Sequence, residues 1–178
     1  MGPARVGVDV KNMGAESAWH EALEGCVLCW LATADAQGQA NVSPKEIFAV
    51  VDEVHLAIAH IASPISVRNV KHNPKVCVSL IDVFVQKGWK LIGKAQYVGA
   101  SDPAFQTWAS PLLDLAGNKF TIQGVVVVHV EQASPIVAPS YRFYPESTSE
   151  EKQIEAAMNA YGVRPDESNK RLIGSVQR

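Results

Sequence analysis

The chain has 178 residues, of which 47% are hydrophobic and 19% are charged, an ordinary composition for one globular domain with a sizeable core. Its formal net charge of −2 at pH 7 argues against a general nucleic-acid binder, which should carry a basic patch. No apolar run approaches the ~20 residues that a membrane helix needs, and the first residues lack the apolar stretch of a secretory signal. We therefore expect a cytoplasmic protein whose partners include neither nucleic acid nor membrane.

The first half of the chain reads as a short helix followed by a meander of strands. Apolar residues at helical spacing predict a helix over residues 15–24, after an irregular start over residues 1–13. The sequence DAQG at 35–38 is typical of a hairpin turn, because Gly38 can take a positive φ. The strands are predicted at residues 26–34, 39–50 and 54–60.

The second half begins with a helix from Ser63 to Asn73 and continues mainly with strands. Strands are predicted at residues 76–81, 89–98 and 121–132, with a helical segment over 103–115 and a helix over 147–161 that Thr148 and Glu151 would cap. Six antiparallel-looking strands with few helices predict an all-β to α+β protein with a six-stranded, nearly closed barrel. We expect residues 1–146 to form that domain, and residues 147–178 to form a C-terminal helix and polar tail.

The three cysteines do not indicate a disulfide framework, because their number is odd. Cys26 and Cys29 form a C-x-x-C spacing, which can mean redox or metal chemistry. They lie in the apolar run CVLCWLAT, however, and no second Cys or His pair completes a zinc site. We predict two buried thiols.

The segment around Ser63 has features of an anion site. Ser63 is a good N-cap whose hydroxyl can accept from the first turn, and Pro64 suits the first helical position. The helix N-terminus, the Ser66 hydroxyl and the nearby charge of Arg68 would then favour an anion such as a phosphate. The same residues also fit an ordinary capped helix that binds nothing.

The second predicted strand carries an unusual polar stripe. Asn41, Ser43 and Lys45 alternate onto one face, and Pro44 removes a ladder N–H, which predicts an edge, a bulge or a ligand-facing segment. Simple solvent exposure of this stripe is an equally good interpretation. His60 ends the next strand just before the anion-type turn. No histidine has metal-ligand spacing with another histidine, and no hydrolase, P-loop or dinucleotide-binding motif is present, so we predict no metal site.

Three segments resemble the pyridoxamine 5′-phosphate oxidase-like family of FMN-binding split barrels. They are LATADAQGQANVSPK at 31–45, NPKVCVSL at 73–80 and LIGKAQYV at 91–98, and their order and spacing carry the resemblance over residues 25–132. The resemblance implies a six-stranded antiparallel split β-barrel with short flanking helices and a C-terminal helix. It also implies a homodimer with FMN in the groove between subunits.

The resemblance implies a cofactor site made from several segments. The strand with Asn41, Ser43 and Lys45 would line the isoalloxazine and ribityl chain, and His60 with the turn from Ser63 to Ser66 would hold the phosphate. Lys94 would reach the cofactor from the same or the other subunit. The basic pair of the oxidase branch corresponds here to Ile65 and Ser66, which leaves Arg68, Lys45 or Lys94 to balance the phosphate.

We therefore expect an FMN-binding oxidoreductase that uses a small-molecule electron donor or acceptor, for example NAD(P)H. The arginine-rich substrate site of pyridoxamine phosphate oxidases has no counterpart near the C-terminus, so we do not expect vitamin B6 oxidation. A non-catalytic flavin-binding or electron-storage module is the alternative from another functional class. A split barrel that uses a deazaflavin or haem is a third alternative, with His60 as the axial haem ligand.

Overall fold

A computed structural model describes residues 8–9, 18–23, 26–117 and 119–165. The strands in these residues are β1 (Val8–Asp9), β2 (Cys29–Ala34), β3 (Ala40–Lys45), β4 (Phe48–Val50), β5 (His55–His60), β6 (Lys75–Asp82), β7 (Lys87–Gly99) and β8 (Gly124–Val137). The helices are α1 (Ala18–Ala22), α2 (Pro64–His72), α3 (Phe105–Ala116), α4 (Pro139–Phe143) and α5 (Glu150–Tyr161).

The strands form one antiparallel sheet in the order β3-β2-β6-β7-β8-β5-β4, and β1 adds to β8. The two edge strands, β3 and β4, are separated along the chain only by Glu46 and Ile47. The sheet must therefore curl until its edges approach each other. This arrangement confirms the expected antiparallel split barrel with short flanking helices.

The strand count differs from the expected six, because the run at 39–50 forms two strands and β1 is additional. The first half of the run pairs with β2, and the second half pairs with β5. An alternating sequence shows which residues share a face, but it does not show where a strand exchanges one neighbour for another. Pro44 lies on β3, an edge strand, as its missing N–H predicts.

Apolar side chains are buried on both faces of the sheet. The concave face encloses the larger core, which includes Leu31, Phe48, Leu56, Ile58, Val78, Leu80, Leu91, Val126 and Val128. The second core lies beneath α3 and includes Ala57, Ala59, Val98, Ala109, Leu112, Val125 and Val127. Both faces of β5 and β8 are covered in this way, which explains the uninterrupted apolar sequence VVVV at 125–128.

The two cysteines of the C-x-x-C segment are buried, as predicted. Cys29 lies within β2, whereas Cys26 precedes the strand. Burial raises the pKa of the Cys29 thiol to about 12, despite the opposing effect of the Lys45 ammonium. The Cys29 side chain is therefore a protonated packing group at neutral pH.

The predicted helix over 15–24 is described only at residues 18–23, of which Ala18–Ala22 form α1, and its other predicted residues lie outside the described part of the chain. The cap of another helix differs from the sequence-based prediction. Helix α5 is capped by Ser149, whose side chain accepts from the Lys152 N–H, and not by Thr148, whose hydroxyl donates instead to the Ser140 carbonyl. Gly162, in the left-handed region, ends α5 as expected.

The C-terminal helix α5 contacts the rest of the protein through polar groups and through the ring of Tyr161, which packs edge-on against Phe84. The Lys87 ammonium lies 2.6 Å from a Glu150 carboxylate oxygen, and Gln153 donates to the Ser140 hydroxyl at 2.6 Å. The boundary expected at residue 146, between the barrel domain and the C-terminal helix, stays a prediction. Residues 166–178, which belong to the predicted polar tail, lie outside the described residues. Among the helices that the structure describes, none has the length and apolar character needed to cross a membrane.

We predict that Gly93→Ala destabilises the fold by more than Gly99→Ala, although both glycines lie on β7. A Cβ at Gly93 would overlap the backbone carbonyl of His129 on β8, whereas one at Gly99 meets Tyr97 at ordinary contact distance. Overpacking of this kind costs about 1–3 kcal/mol or more. Urea denaturation of both variants measures the difference, and equal midpoints would contradict the close approach.

Candidate functional site

A group of polar side chains lies between the β2–β3 hairpin and the first half of α2. We call it the polar cluster. Its members are Thr33, Asn41, Ser43, Lys45, His60, Ser63, Ser66 and Asn69. Six of these were predicted from sequence as site residues, and the structure brings these six together.

Ser66 is the centre of one half of the polar cluster. Its side chain is 1% exposed, and its hydroxyl lies 2.9 Å from the Ser43 hydroxyl. The Asn41 amide donates to the same Ser66 oxygen at 3.3 Å and to the Thr33 hydroxyl at 3.2 Å. The polar face of β3 therefore points towards α2, which excludes the interpretation that this stripe is merely solvated.

Ser63 is the centre of the other half. Its hydroxyl accepts from the Lys45 ammonium at 2.5 Å and lies 3.2 Å from Nδ1 of His60. The prediction that this hydroxyl caps α2 is wrong, because the helix has no side-chain cap. The Ser63 hydroxyl interacts with Lys45 and His60 instead. The first turn of α2 therefore keeps backbone N–H groups that have no acceptor side chain.

Asn69 carries an unpaired polar atom inside the polar cluster. Its side chain is 2% exposed, and its Nδ2 donates to the Thr33 hydroxyl at 3.1 Å. Within the described part of the chain, its Oδ1 is the buried side-chain polar atom that lacks a partner. Exchanging the amide nitrogen and oxygen would leave the nitrogen unpaired instead. A buried group of this kind normally has a bound molecule or ordered water as a partner.

His60 is held in its neutral form by its surroundings. Burial lowers its pKa, and the positive charges of Lys45 and Lys71 lower it further. Its ring packs edge-on against Tyr97 with the centroids 5.7 Å apart, and the Lys71 ammonium lies 4.8 Å from the Tyr97 ring centroid. Two cations therefore act on the pKa of His60, and no carboxylate is among the causes of its shift.

Lys45 is partly buried, and this burial lowers its pKa. The ammonium is nevertheless fixed by its hydrogen bond to Ser63. A partly desolvated cation gains more from an incoming anion than a fully hydrated one, because water screens it less. Lys45 is therefore the residue of the polar cluster best placed to attract a phosphate.

Two predicted site residues lie apart from the polar cluster. The Arg68 side chain is exposed on α2, and its backbone carbonyl accepts from His72. Lys94 lies on the face of β7 opposite to that of Tyr97, and its ammonium pairs with Glu131 at 3.0 Å. Neither forms a hydrogen bond with the polar cluster in the described residues. A contact of Lys94 with the cofactor of a second subunit stays a prediction.

Four residues near the site were not identified from sequence. They are Thr33, Asn69, Lys71 and Tyr97. The hairpin turn at 35–38 places Thr33 directly opposite Asn41, so the register could have indicated it. Asn69 lies one helical turn after Ser66, on the same face of α2. Nothing in the local sequence connects Tyr97 with His60.

We predict that His60 contributes to acid sensitivity of the fold. Since its pKa is lowered in the folded state, the unfolded chain binds a proton first as the pH falls below ~6.5. The stability contributed by neutral His60 is therefore complete above that pH and is lost as the pH falls towards the folded pKa. Urea midpoints at several pH values should fall less steeply in His60→Asn than in the wild type. His72→Asn, at an exposed site, should keep the wild-type slope, and equal slopes for all three would refute the prediction.

Comparisons with known proteins agree with this architecture. The family model described as pyridoxamine 5′-phosphate oxidase matches residues 15–144. No curated protein sequence matches the chain.

Three solved structures illustrate the shared fold. A putative pyridoxamine 5′-phosphate oxidase from Lactobacillus delbrueckii is 24% identical, with a TM-score of 0.55 over 66% of this chain and 90% of the other. An FMN-binding protein from Syntrophomonas wolfei is 13% identical, with a TM-score of 0.57 over 67% and 84%. An F420 reductase is 24% identical, with a TM-score of 0.51 over 69% and 98%. The sequence match over most of the chain, with a curled antiparallel sheet, establishes that this protein belongs to the pyridoxamine 5′-phosphate oxidase family.

Proposed function

We propose that the polar cluster binds the phosphate of FMN and that the protein is an FMN-dependent oxidoreductase. The observation that carries this proposal is the Lys45 ammonium fixed at the uncapped N-terminus of α2. Backbone N–H groups at a helix N-terminus and an adjacent cation form a favourable environment for a phosphate. The hydroxyls of Ser63 and Ser66 add donors beside them.

The charge balance supports an anionic ligand. Lys45 and Lys71 both act on His60, and no carboxylate is among the causes of its pKa shift. A bound phosphate would accept a hydrogen bond from Lys45. The Ser63 hydroxyl, which Lys45 contacts in this structure, would then be released and could donate a second hydrogen bond to the phosphate. The unpaired amide atom of Asn69 supports a further polar partner in the same region. These groups fit a phosphorylated ligand without the basic pair that Ile65 and Ser66 replace.

The residues of the chain would bind and orient the cofactor. FMN, when bound, supplies the redox chemistry by accepting a hydride from a donor such as NAD(P)H. Asn41 and Ser43, on the face of β3 towards α2, would hydrogen-bond the polar atoms of the ribityl chain or ring. His60, kept neutral, can accept or donate one hydrogen bond without adding charge.

The proposal includes a homodimer that encloses the cofactor groove. An exposed apolar row crosses four strands on the convex face of the sheet, from Val42 through Ala32 and Cys77 to Ile92. Val42 is 57% exposed and Ile92 is 37% exposed. A contiguous apolar surface of this kind favours contact with another protein surface. Lys94, whose side chain is exposed in the single chain, would then face the second copy.

An absorption spectrum of the protein purified without added cofactor, followed by FMN titration, tests the proposed function. Flavin bands in the purified protein, or saturable FMN binding, would support it and justify an NAD(P)H oxidation assay. Flavin binding without turnover would favour a non-catalytic or electron-storage module. A deazaflavin spectrum, or a haem Soret band that His60→Ala removes, would replace FMN with that cofactor. A colourless protein that ignores all three would refute a cofactor role.

We predict that Lys45→Gln reduces the preference for FMN over riboflavin, which lacks the phosphate. A charge-assisted hydrogen bond is worth about 1.5–3 kcal/mol, which corresponds to a loss of roughly 10–100-fold in FMN affinity. Riboflavin affinity should change little. The matched control is Lys90→Gln, because Lys90 is an exposed lysine on β7. An unchanged FMN-to-riboflavin ratio in Lys45→Gln would remove Lys45 from the phosphate site.

We predict that the wild type is a dimer at micromolar concentration and that Val42→Asp shifts it towards monomer. A carboxylate in a buried apolar interface costs desolvation energy that Val42→Thr, a variant of similar shape, largely avoids. Analytical ultracentrifugation measures the mass of all three proteins. A monomeric wild type would contradict the homodimer, and a dimeric Val42→Asp variant would place the interface elsewhere.

A further inference from the structure

A pair of histidines lies on the convex face of the sheet, away from the polar cluster. His55 on β5 and His129 on β8 are directly opposite each other in the antiparallel register. His60 is five residues further along β5, about 16 Å away at ~3.3 Å per residue, and points to the other face. The histidine pair is therefore separate from the proposed flavin site.

The two imidazoles are close and well oriented. Nε2 of His55 lies 3.3 Å from Nδ1 of His129. Nδ1 of His55 lies 2.8 and 2.9 Å from the two carboxylate oxygens of Asp52. The ring of Trp108 packs edge-on against His55 with the centroids 5.2 Å apart. Asp52 and Trp108 thus fix the direction in which Nε2 of His55 points.

Asp52 is itself held in place by the backbone. Its Oδ1 accepts from the N–H groups of Val54 and His55 at 3.0 and 2.9 Å. With the Asp52 carboxylate accepting at Nδ1, His55 carries its proton on that nitrogen and presents a lone pair on Nε2.

We propose that His55 and His129 together bind a divalent transition-metal ion, with Asp52 as the positioning residue for His55. Zn–N bonds are about 2.0–2.1 Å, so two nitrogen ligands at a tetrahedral angle are about 3.3–3.4 Å apart. The two imidazole nitrogens are already at that separation. A carboxylate on the far nitrogen of a ligating histidine is the usual outer partner of such a ligand.

Binding requires one proton to move within His129. Without metal, Nδ1 of His129 donates its proton to Nε2 of His55. With metal, His129 carries its proton on Nε2 and presents the Nδ1 lone pair, so both ligands are neutral imidazoles. His129 is exposed, which leaves its Nε2 able to reach water in that tautomer.

The nearby charges permit a cation. Asp52 and Glu131 are acidic, and the one lysine directly opposite His129, Lys94, pairs with Glu131 at 3.0 Å. No three His, Cys, Asp or Glu side chains among the described residues surround one point, so water would fill the other coordination positions. Imidazole ligands select zinc, nickel or copper over magnesium or calcium. We expect reversible binding with that selectivity.

The sequence does not reveal this pair, because its members are 74 residues apart and on different strands. Helical spacing rules for metal ligands do not apply to residues that meet across a sheet. The register between β5 and β8 is what creates the site.

Titration of the full, tag-free chain with zinc chloride and nickel chloride, followed by calorimetry, tests the proposal. We expect one ion per chain, a loss of at least tenfold in affinity for His129→Gln, and a loss of about 10–100-fold for Asp52→Asn. His72→Gln is the matched control, because His72 is an exposed histidine on α2. Magnesium chloride should give no binding.

Two results would overturn the site. They are a wild type that binds neither zinc nor nickel, and equal affinities for the wild type and His129→Gln. Far-ultraviolet circular dichroism and the urea midpoint of each variant establish that the fold is retained. Replacement of the exposed His129 leaves both apolar cores intact, so a folded variant is expected. FMN titration of the same variants should be unchanged, which separates this site from the polar cluster.

Discussion

The short link between β3 and β4 constrains the whole architecture. These strands are the two edges of the sheet, yet only Glu46 and Ile47 lie between them. From Lys45 to Phe48 the chain makes three Cα–Cα steps, which span at most about 11 Å, so the two edges of the sheet approach each other there. The link is held against β5 by the Ala59 N–H, which donates to the Ile47 carbonyl at 2.9 Å. The split barrel is thus a consequence of chain connectivity as well as of burial.

The same closure assembles the polar cluster. Lys45 is the last residue of β3, and His60 is the last residue of β5. β3 is one edge of the sheet and β5 lies next to the other edge, β4, and closure brings both residues to the Ser63 hydroxyl. Helix α2 starts directly after β5, so its N-terminus arrives at the same place. A site that depends on closure in this way would be lost if the barrel opened.

The long β7–β8 pairing holds the two halves of the barrel together. β2 and β6 extend the sheet on one side, and β5 and β4 extend it on the other. The register shifts between Ile92 and Gly93, where the β8 backbone approaches too closely for any side chain larger than hydrogen. At this bulge Glu131 is an extra residue on β8 that has no partner in the β7 register, and its side chain forms the ion pair with Lys94. Bulges commonly bend a strand and redirect side chains in this manner.

Local sequence patterns predicted most of the elements and six members of the polar cluster, but not every partner. The alternation of Asn41, Ser43 and Lys45 predicted a shared face, and Pro44 predicted an edge. Periodicity did not reveal the division of residues 39–50, because that division depends on which strands lie alongside. Nor did it indicate that Ser63 would bind Lys45 and His60 and leave α2 uncapped.

Long-range register accounts for the remaining differences. Tyr97 meets His60, and His55 meets His129, only because β8 lies between β7 and β5 in the sheet. The resemblance to a known family supplied the expected barrel, since no local pattern specifies strand order. Arg68 was expected near the phosphate from its charge and position in sequence, and Lys94 from the family resemblance, but both side chains lie outside the polar cluster of a single chain.

Because the Cys29 thiol is fully buried, its reactivity with a thiol reagent measures how often the barrel opens. Cys29 pairs in register with Lys45, so its fully buried thiol lies beneath the edge strand that carries the polar stripe. A thiol reagent cannot reach it while β3 is in place. The labelling rate of Cys29 therefore reports how often the seam of the barrel separates, and a ligand that bridges the seam slows that labelling.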